Sequence, residues 1–197
     1  ENLYFQLLNM DLSLDGSATQ LADPSTSKQG FDMVYGEDAY IYYAYSEDYD
    51  ISIKKLSSSG IEEWTISAVT NSTDDIVKAI YPSPVSGCII IYESQGFFEG
   101  SHIYAVEVSE SGQVQSSILI SDLSEDQYYE SSALTNDGIF ISFKDNTSGN
   151  YNVYGQHILF AGNLDFGSSG VAIASGTGDQ QESSVAYDPD KDEALVW

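Results

Sequence analysis

The stretch 103–112, IYAVEVSESG, is a strand-like run closed by a small-residue turn that ends in glycine. The same ten-residue arrangement, with the glycine at the same distance from the start of the run, occurs at 7–16, 51–60 and 153–162, so the chain is a repeat protein. The four closing glycines are 44, 52 and 50 residues apart along the sequence. Periods of this length are typical of repeats that each form one small antiparallel sheet.

Each repeat carries further strand signals around its glycine. Alternating apolar runs that end in an aromatic residue lie at 41–45, 89–92, 139–143 and 194–197. Apolar segments closed by a turn precede them at 31–37, 77–84, 131–136 and 183–188, and a weaker run follows the glycine, as at 64–69. Such short runs, broken by Gly, Asn, Asp, Pro and Ser, indicate strands joined by hairpins. Four strands per repeat predict an all-β fold, a β-propeller of four-stranded antiparallel blades.

The phase of the repeat predicts how the chain ends meet. The chain starts at the third strand of one repeat and ends at the second strand of another, so the two half-blades complement each other. Pairing them in one sheet would close a four-bladed ring and remove free strand edges. The alternatives are a half-ring that needs a second copy or more blades, with self-association as its consequence, and a β-sandwich or solenoid. The predicted single domain is 7–197, divided at 7–30, 31–75, 76–126, 127–181 and 182–197.

The first six residues, ENLYFQ, match the recognition sequence of tobacco etch virus protease. We interpret 1–6 as an expression-tag remnant and leave it out of functional reasoning. Its apolar residues directly precede the first native strand, so they are able to extend that strand.

The charge balance is the strongest compositional signal. The chain has 31 acidic residues against six lysines and no arginine, for a formal net charge of −25. Such a field repels nucleic acid and anionic membranes, because each phosphate contact needs a cation that the chain lacks. Two interpretations of the acidity stay open, solubility in a saline or calcium-rich medium and specific binding of a cation.

Several features bear on location. Cys88 is the only cysteine and lies in the apolar run CIII, so we expect a small buried hydrophobe and no intrachain disulfide. No apolar stretch approaches 18 residues, so no membrane insertion is predicted. Dense use of Ser, Thr, Asn, Gly and Tyr with few lysines favours an extracellular or cell-surface location.

The segment 136–145, NDGIFISFKD, followed by NVYGQHI at 152–158 and by Gly162, forms the clearest repeat, and 101–112 echoes it. This pattern of an Asp-Gly turn, an apolar strand ending aromatic-x-Asp, an Ile-Tyr strand and a closing glycine resembles the repeats of large secreted bacterial β-propeller proteins. The resemblance covers nearly the whole native chain. It implies surface display, adhesion, or binding of carbohydrate or protein, and the family has no single activity.

The hairpin 188–193, DPDKDE, carries the first candidate site. Asp188, Asp190 and Asp192 have the Asp-x-Asp-x-Asp spacing with which a calcium loop starts, which makes Ca²⁺ the candidate cofactor. The loop lacks the glycine expected at its sixth position. The alternative interpretation is a polar hairpin turn.

A second set of candidates comes from the loops that enter the first strand of each blade. Asp74, Asp126 and Asp179 lie in these loops, which cluster around one mouth of a propeller channel. One interpretation is that acids from three blades converge into an anionic funnel for a cation or a cationic ligand, and the alternative is that they lie in simple solvated loops. Because first strands line the channel, Glu130 and Glu182 at matching repeat positions are also predicted to be ligand-binding residues.

Tyrosine is the third signal, with 15 copies. Alternate tyrosines on a strand face opposite sides, so part of them must lie outside the core. Tyr43 and Tyr128 are the candidates for stacking on sugars or contacting proteins, and packing between blades is the alternative interpretation for most of the tyrosines. His157 alternates with its neighbours on a strand and is expected to be an ordinary surface or lining residue.

No catalytic constellation stands out, so the sequence predicts no catalytic residue and no enzyme. The predicted function is a non-catalytic extracellular module of the adhesion type, which binds a protein or carbohydrate. One alternative is a glycoside-active propeller that uses Asp74, Asp126 or Asp179. The other is a structural spacer.

Overall fold

The computed structural model describes residues 4–8, 11, 13–21, 28–71, 73–96 and 100–197. The predicted tag remnant 1–6 and the predicted half-blade 7–30 therefore lie partly outside the described residues. The described part of the chain is all-β, and none of it forms a helix long and apolar enough to cross a membrane. Its strands are β1 (Tyr4–Leu8), β2 (Leu14–Gln20), β3 (Lys28–Tyr35), β4 (Ile41–Glu47), β5 (Asp50–Leu56), β6 (Glu62–Val69), β7 (Asp74–Pro82), β8 (Cys88–Gly96), β9 (Gly100–Val108), β10 (Ile118–Leu119), β11 (Gln127–Leu134), β12 (Gly138–Asp145), β13 (Asn152–Leu159), β14 (Val171–Ala174), β15 (Val185–Asp188) and β16 (Glu193–Val196).

The strands form three four-stranded antiparallel sheets, each with its strands in chain order, β3–β6, β7–β10 and β11–β14. These sheets confirm the prediction of β-propeller blades. Two hairpins, β1–β2 and β15–β16, stand before and after them as separate two-stranded sheets among the described residues. Their union into one split blade that closes the ring is not part of the described hydrogen bonding and stays a prediction.

The closing glycines of the repeat occupy equivalent turns. Gly60, Gly112 and Gly162 have φ angles of 80°, 80° and 82°, the left-handed region that glycine adopts without steric cost. Each glycine N–H donates to the carbonyl oxygen three residues earlier, at 2.8 to 2.9 Å. The turn after the third strand therefore has one geometry in all three sheets, which explains why the sequence repeats a glycine there.

Consecutive sheets pack face to face through apolar side chains. Strand β8 shows the arrangement, because Ile90 belongs to the core shared with the β3–β6 sheet while Ile89 and Ile91 belong to the core shared with the β11–β14 sheet. Side chains alternate between the faces of a strand, so a strand covered on both faces needs a continuous apolar run. Full burial of each such side chain contributes about 1.5–3 kcal/mol. The second strand of each blade is therefore the centre of the packing.

The first strand of each four-stranded sheet contains a β-bulge. The extra residue is Gly30 in β3, Lys78 in β7 and Glu130 in β11. A bulge interrupts the hydrogen-bonded ladder and redirects a side chain, and bulges are frequent beside functional sites. Lys78 and Glu130 thereby leave the regular alternation of their strands at the place where the sheets meet.

Candidate functional site

An open cavity of about 590 Å³ lies where the β7–β10 sheet, the β11–β14 sheet and the β15–β16 hairpin meet. We call it the glutamate cavity, because three glutamates from successive sheets line it. Glu93 comes from β8, Glu130 from β11 and Glu182 from the segment before β15. The remaining lining residues are Lys78, Tyr128, Tyr129, Lys144, Tyr151, Ser183 and Ser184.

Glu182 is held in an unusual backbone conformation at this cavity. Its φ angle is 66°, a left-handed value that costs a non-glycine residue about 1–2 kcal/mol. The Glu130 carboxylate holds it there, since Oε1 accepts the Glu182 N–H at 2.7 Å and Oε2 accepts the Ser183 N–H at 2.8 Å. The Ser183 hydroxyl also donates to Oε2, at 2.5 Å, and lies 2.9 Å from the Ser142 hydroxyl. Glu130 is therefore a clamp that fixes the entry into β15.

The carboxylate of Glu182 is the open one of the three. Within the described residues it accepts no hydrogen bond and forms no ion pair, and the residue is exposed. Strained residues that the surrounding structure over-determines cluster at active sites and ligand clamps. The arrangement presents a free carboxylate on a fixed backbone.

Glu93 has the opposite environment. Its side chain is 3% exposed, Oε2 lies 2.8 Å from Lys78 Nζ, and Oε1 accepts the Tyr129 N–H at 2.6 Å. The Glu93 carboxylate is thus held by a cation and a backbone donor. The cavity contains two carboxylates held by contacts within the protein, those of Glu93 and Glu130, and one open carboxylate, that of Glu182.

Two tyrosines and a lysine complete the lining. The rings of Tyr128 and Tyr151 meet edge to face, with centroids 6.1 Å apart, and Lys144 Nζ lies 5.6 and 5.1 Å from them. The Tyr128 hydroxyl donates to Asp126 Oδ2 at 3.4 Å. Burial, together with the nearby charge of Asp126, raises the pKa of Tyr128 to about 12, so the phenol stays protonated at neutral pH. The pair supplies flat rings of the kind that stack on sugars.

The structure places the predicted Tyr128, Glu130 and Glu182 together in this cavity, but it separates the loop acids. Asp126 accepts the Ser101 N–H at 2.9 Å and Asp179 accepts the Tyr151 N–H at 3.1 Å. Asp74 lines a different cavity of about 220 Å³, together with Glu47 and Asp48. None of the described cavities contains all three loop acids, so the predicted funnel does not form as one site there.

Tyr43 is a correction to the predicted ligand-binding residues. Its side chain is fully buried and stacks on Tyr45, with ring centroids 5.2 Å apart. The reason is its position on β4, the second strand of its sheet, which packing covers on both faces. A ring with no exposed surface cannot stack on a ligand.

Two of the three aspartates of the predicted calcium loop, Asp188 and Asp192, turn their carboxylates toward local donors. Asp188 Oδ1 accepts the Asp190 N–H at 3.1 Å, and its Oδ2 pairs with Lys191 at 3.0 Å. Asp192 accepts hydrogen bonds from the Tyr187 hydroxyl and from Asn136. In the described ranges no group of three or more His, Cys, Asp or Glu side chains is arranged to hold a metal ion. These contacts are those of a polar hairpin turn, and calcium binding stays a prediction.

Asp192 also lines a second cavity, of about 340 Å³, around His157. His157 Nε2 lies 2.9 Å from the Thr135 hydroxyl and 3.4 Å from Asp137, and Nδ1 lies 3.5 Å from Asp165. This grouping was not predicted from the sequence. The Asp-Gly turn at Asp137 was the one feature of the sequence that could have indicated it. Because its polar groups pair with one another, we prefer the glutamate cavity as the functional site.

Comparisons with known proteins support the fold. No protein-family model and no curated protein matches the chain. Among solved structures, the chain is similar to the endo-arabinase of Bacteroides thetaiotaomicron VPI-5482, with a TM-score of 0.53 and 10% sequence identity over 98% of this chain and 87% of that chain. At this identity the likeness shows the fold alone. It also corrects one prediction: we expected no enzyme, and a protein with this fold over nearly the whole chain is an enzyme.

Proposed function

We propose that the protein hydrolyses glycosidic bonds at the glutamate cavity, with Glu182 and Glu93 as the reacting carboxyl groups. Glycoside hydrolysis is carried out by a pair of carboxyl groups that flank the scissile bond. One transfers a proton to the leaving oxygen, while the other is ionised and acts on water or on the sugar. An enzyme of the same fold, the endo-arabinase, favours this class of reaction over a module without catalysis.

The clamp on Glu182 is the observation that carries the proposal. Both carboxylate oxygens of Glu130 accept hydrogen bonds from the backbone N–H groups of Glu182 and Ser183, and the Glu182 carboxyl group itself stays free. Holding a left-handed glutamate costs free energy that a structural turn could avoid with glycine. The cost is explained if a carboxyl group is needed at this point of the cavity.

The two carboxyl groups have distinct roles in the proposal. Glu93, ion-paired with Lys78, is the base or nucleophile. Glu182 is the proton donor, because its carboxyl group is the one of the three glutamates that no described residue holds, so it is available to the leaving oxygen of a bound sugar. Tyr128 and Tyr151 provide the stacking surface that orients the sugar. The predicted extracellular or cell-surface location is kept as part of this proposal.

The test is release of new reducing ends from a panel of purified glycans, arabinan included, between pH 4 and 8. Glu182→Gln is expected to lower kcat/KM at least 100-fold, within the range of about 10²–10⁴ for proton transfer by one side chain. The matched control is Glu63→Gln, an exposed glutamate on β6 outside the cavity, which is expected to stay within twofold of the parent. Thermal melts of both variants show whether they are folded.

Two results contradict the proposal. One is the absence of reducing ends from every glycan in the panel. The other is a folded Glu182→Gln variant that keeps the parent activity.

A further inference from the structure

We propose that the glutamate cavity takes a glycan that carries a carboxylate, a uronic acid, and that Lys144 binds this carboxylate. The sugar part of the inference rests on the proposed function. The charge of the ligand is a separate deduction from how the protein distributes its few cations.

The lysines of this protein differ in whether a carboxylate pairs with them. The structure describes the side chains of five of the six lysines, and four of these five form an ion pair with a carboxylate. The exception is Lys144, for which the described residues provide no carboxylate within ion-pair distance. The four pairs are Lys54 with Glu62 at 2.7 Å, Lys55 with Asp38 at 2.8 Å, Lys78 with Glu93 at 2.8 Å and Lys191 with Asp188 at 3.0 Å.

The exception is informative because of the composition. The chain has 31 acidic residues for its six lysines, so acidic partners are abundant almost everywhere on the surface. A lysine that has no carboxylate partner among the described residues of such a protein, and that lines the glutamate cavity, has a position that suits an external anion.

The local geometry of Lys144 decides which of its donors a ligand can reach. Its ammonium group has three N–H donors, and one of them donates to Gln181 Oε1 at 3.2 Å. The rings of Tyr128 and Tyr151 lie at 5.6 and 5.1 Å, so they flank the amine without using its donors. Donors therefore remain for a ligand, next to the surface on which a sugar ring would stack.

The charge of the whole protein limits which anion can bind at Lys144. A net charge of −25 repels long polyanions, but fields from exposed charges are screened over about 8 Å at physiological ionic strength. A single carboxylate on a sugar ring can therefore reach Lys144 while the ring stacks on the tyrosines. The ring's glycosidic oxygen then lies within the cavity that also contains Glu182. The ammonium group of lysine is a compact point charge. It can therefore bind the carboxylate of a sugar from several directions.

The test is calorimetric binding to the Glu182→Gln protein, which removes turnover from the measurement. The probes are trigalacturonate and triglucuronate, each compared with its fully methyl-esterified form, which has the same shape without the charge. At least one acid is expected to bind 10-fold or more tightly than its ester. Lys144→Gln is expected to abolish this difference without changing the affinity for the ester, and Lys144→Arg to retain it. The matched control, Lys54→Gln on β5, should leave all affinities unchanged.

Equal affinity for acid and ester in both pairs overturns the inference, as does a preference that survives Lys144→Gln. A sulfated trisaccharide that binds more tightly than both acids also overturns the assignment to a carboxylate. The outcome is separable from the proposed function. Acid preference without cleavage of any glycan removes the hydrolase and leaves the charge inference standing, whereas cleavage of neutral glycans without acid preference does the reverse.

Discussion

Two lysines of this protein sit among tyrosines, and they have opposite surroundings. Lys55 is buried between the β3–β6 and β7–β10 sheets, where Nζ lies 2.8 Å from Asp38 Oδ2 and donates to the Glu110 carbonyl at 3.2 Å. The Tyr40 ring lies 3.9 Å from Nζ, and the Tyr42 hydroxyl donates to the same Asp38 oxygen at 2.6 Å. Every group of this cluster has a partner within the protein.

Lys144 has the same kinds of neighbours in a looser arrangement. Its two tyrosine rings lie above 5 Å away, no described carboxylate pairs with it, and it lines an open cavity. The difference teaches that an ion pair encloses Lys55 within the core, whereas Lys144 keeps donors directed at an open cavity, which is the geometry from which we propose ligand binding.

The largest expected effect comes from breaking the closed cluster. Lys55→Met removes the partner of Asp38, whose side chain is 10% exposed, and leaves an unpaired buried carboxylate. Breaking a buried pair in this way costs about 3–5 kcal/mol of unfolding free energy. Urea denaturation measures it, with Lys144→Met as the matched control. Equal losses of unfolding free energy in the two variants would contradict the difference between a buried, paired Lys55 and an open Lys144.

The pH dependence of the closed cluster follows from Asp38. Burial acts to raise the pKa of Asp38, but hydrogen bonds from Lys55 and Tyr42 outweigh it, and the pKa lies below the usual value. A lowered folded-state pKa stabilises the fold above the unfolded-state pKa, and this stability is lost as the pH falls through the folded-state pKa. The cost of Lys55→Met should therefore shrink when the urea titration is repeated below pH 4. A cost independent of pH would contradict the ion-pair interpretation.

The second effect tests the clamp at the open site. Glu130→Gln replaces one accepting oxygen by an amide that cannot accept the Glu182 or Ser183 N–H. Loss of a charge-assisted hydrogen bond is expected to cost about 1.5–3 kcal/mol, and glycan hydrolysis should fall at least 10-fold as Glu182 loses its fixed position. Urea midpoints and initial rates measure both, against Glu63→Gln. Unchanged activity at reduced stability would make Glu130 purely structural.

The third effect is the dependence of stability on pH that Asp75 causes. This carboxyl group on β7 is fully buried, and its Oδ2 has no described hydrogen-bond partner. Burial raises its pKa, even though Ser94 and Thr73 act in the other direction. The folded state therefore favours the protonated acid, so its stabilising contribution is full below the unfolded-state pKa and is lost as the pH rises through the raised folded-state pKa. Asp75→Asn should raise the melting temperature at pH 8 and leave it unchanged near pH 3. A decrease at pH 8 would show that the carboxylate is compensated.

A smaller effect isolates the strain at Glu182. Glycine relieves the left-handed strain of about 1–2 kcal/mol, but its greater freedom in the unfolded chain costs about 0.5–1 kcal/mol, so Glu182→Gly should gain up to about 1.5 kcal/mol of stability. The same variant should lose hydrolysis completely. Differential scanning calorimetry measures the change in stability, and the glycan assay measures the loss of hydrolysis. Glu182→Ala is the control, because alanine removes the carboxyl group and keeps the backbone strain. A destabilised glycine variant would show that the side chain contributes to folding.

The smallest expected effect is the stability of Lys144→Met, which should differ from the parent by less than about 0.5 kcal/mol, because no buried partner loses a charge. This null result in urea denaturation sharpens the contrast with Lys55. A loss comparable to that of Lys55→Met would assign Lys144 to the structural set.

The repeat and its turns were predictable because they depend on local geometry. Gly60, Gly112 and Gly162 recur since each turn needs a positive φ, and apolar runs recur since each second strand is covered on both faces. Glu130 and Glu182, which occupy matching repeat positions, both line the glutamate cavity, and their binding of a ligand stays a prediction. The repeat alone did not separate Tyr43 from Tyr128, because burial of Tyr43 and exposure of Tyr128 to a cavity depend on what packs against each ring in the folded protein.

The sequence by itself therefore determined the unit of the fold, the number of strands per unit and the acidic character of the surface. Only the tertiary structure decided that Lys78, Glu93 and Lys144 share a cavity with Glu182, and that Lys55 closes on Asp38. The physical reason is that period and turn chemistry act between neighbours in the chain. The contact between Glu130 and Glu182 joins residues 52 positions apart and that between Lys55 and Asp38 joins residues 17 positions apart, so packing, with the bulges at Lys78 and Glu130, chooses the partners.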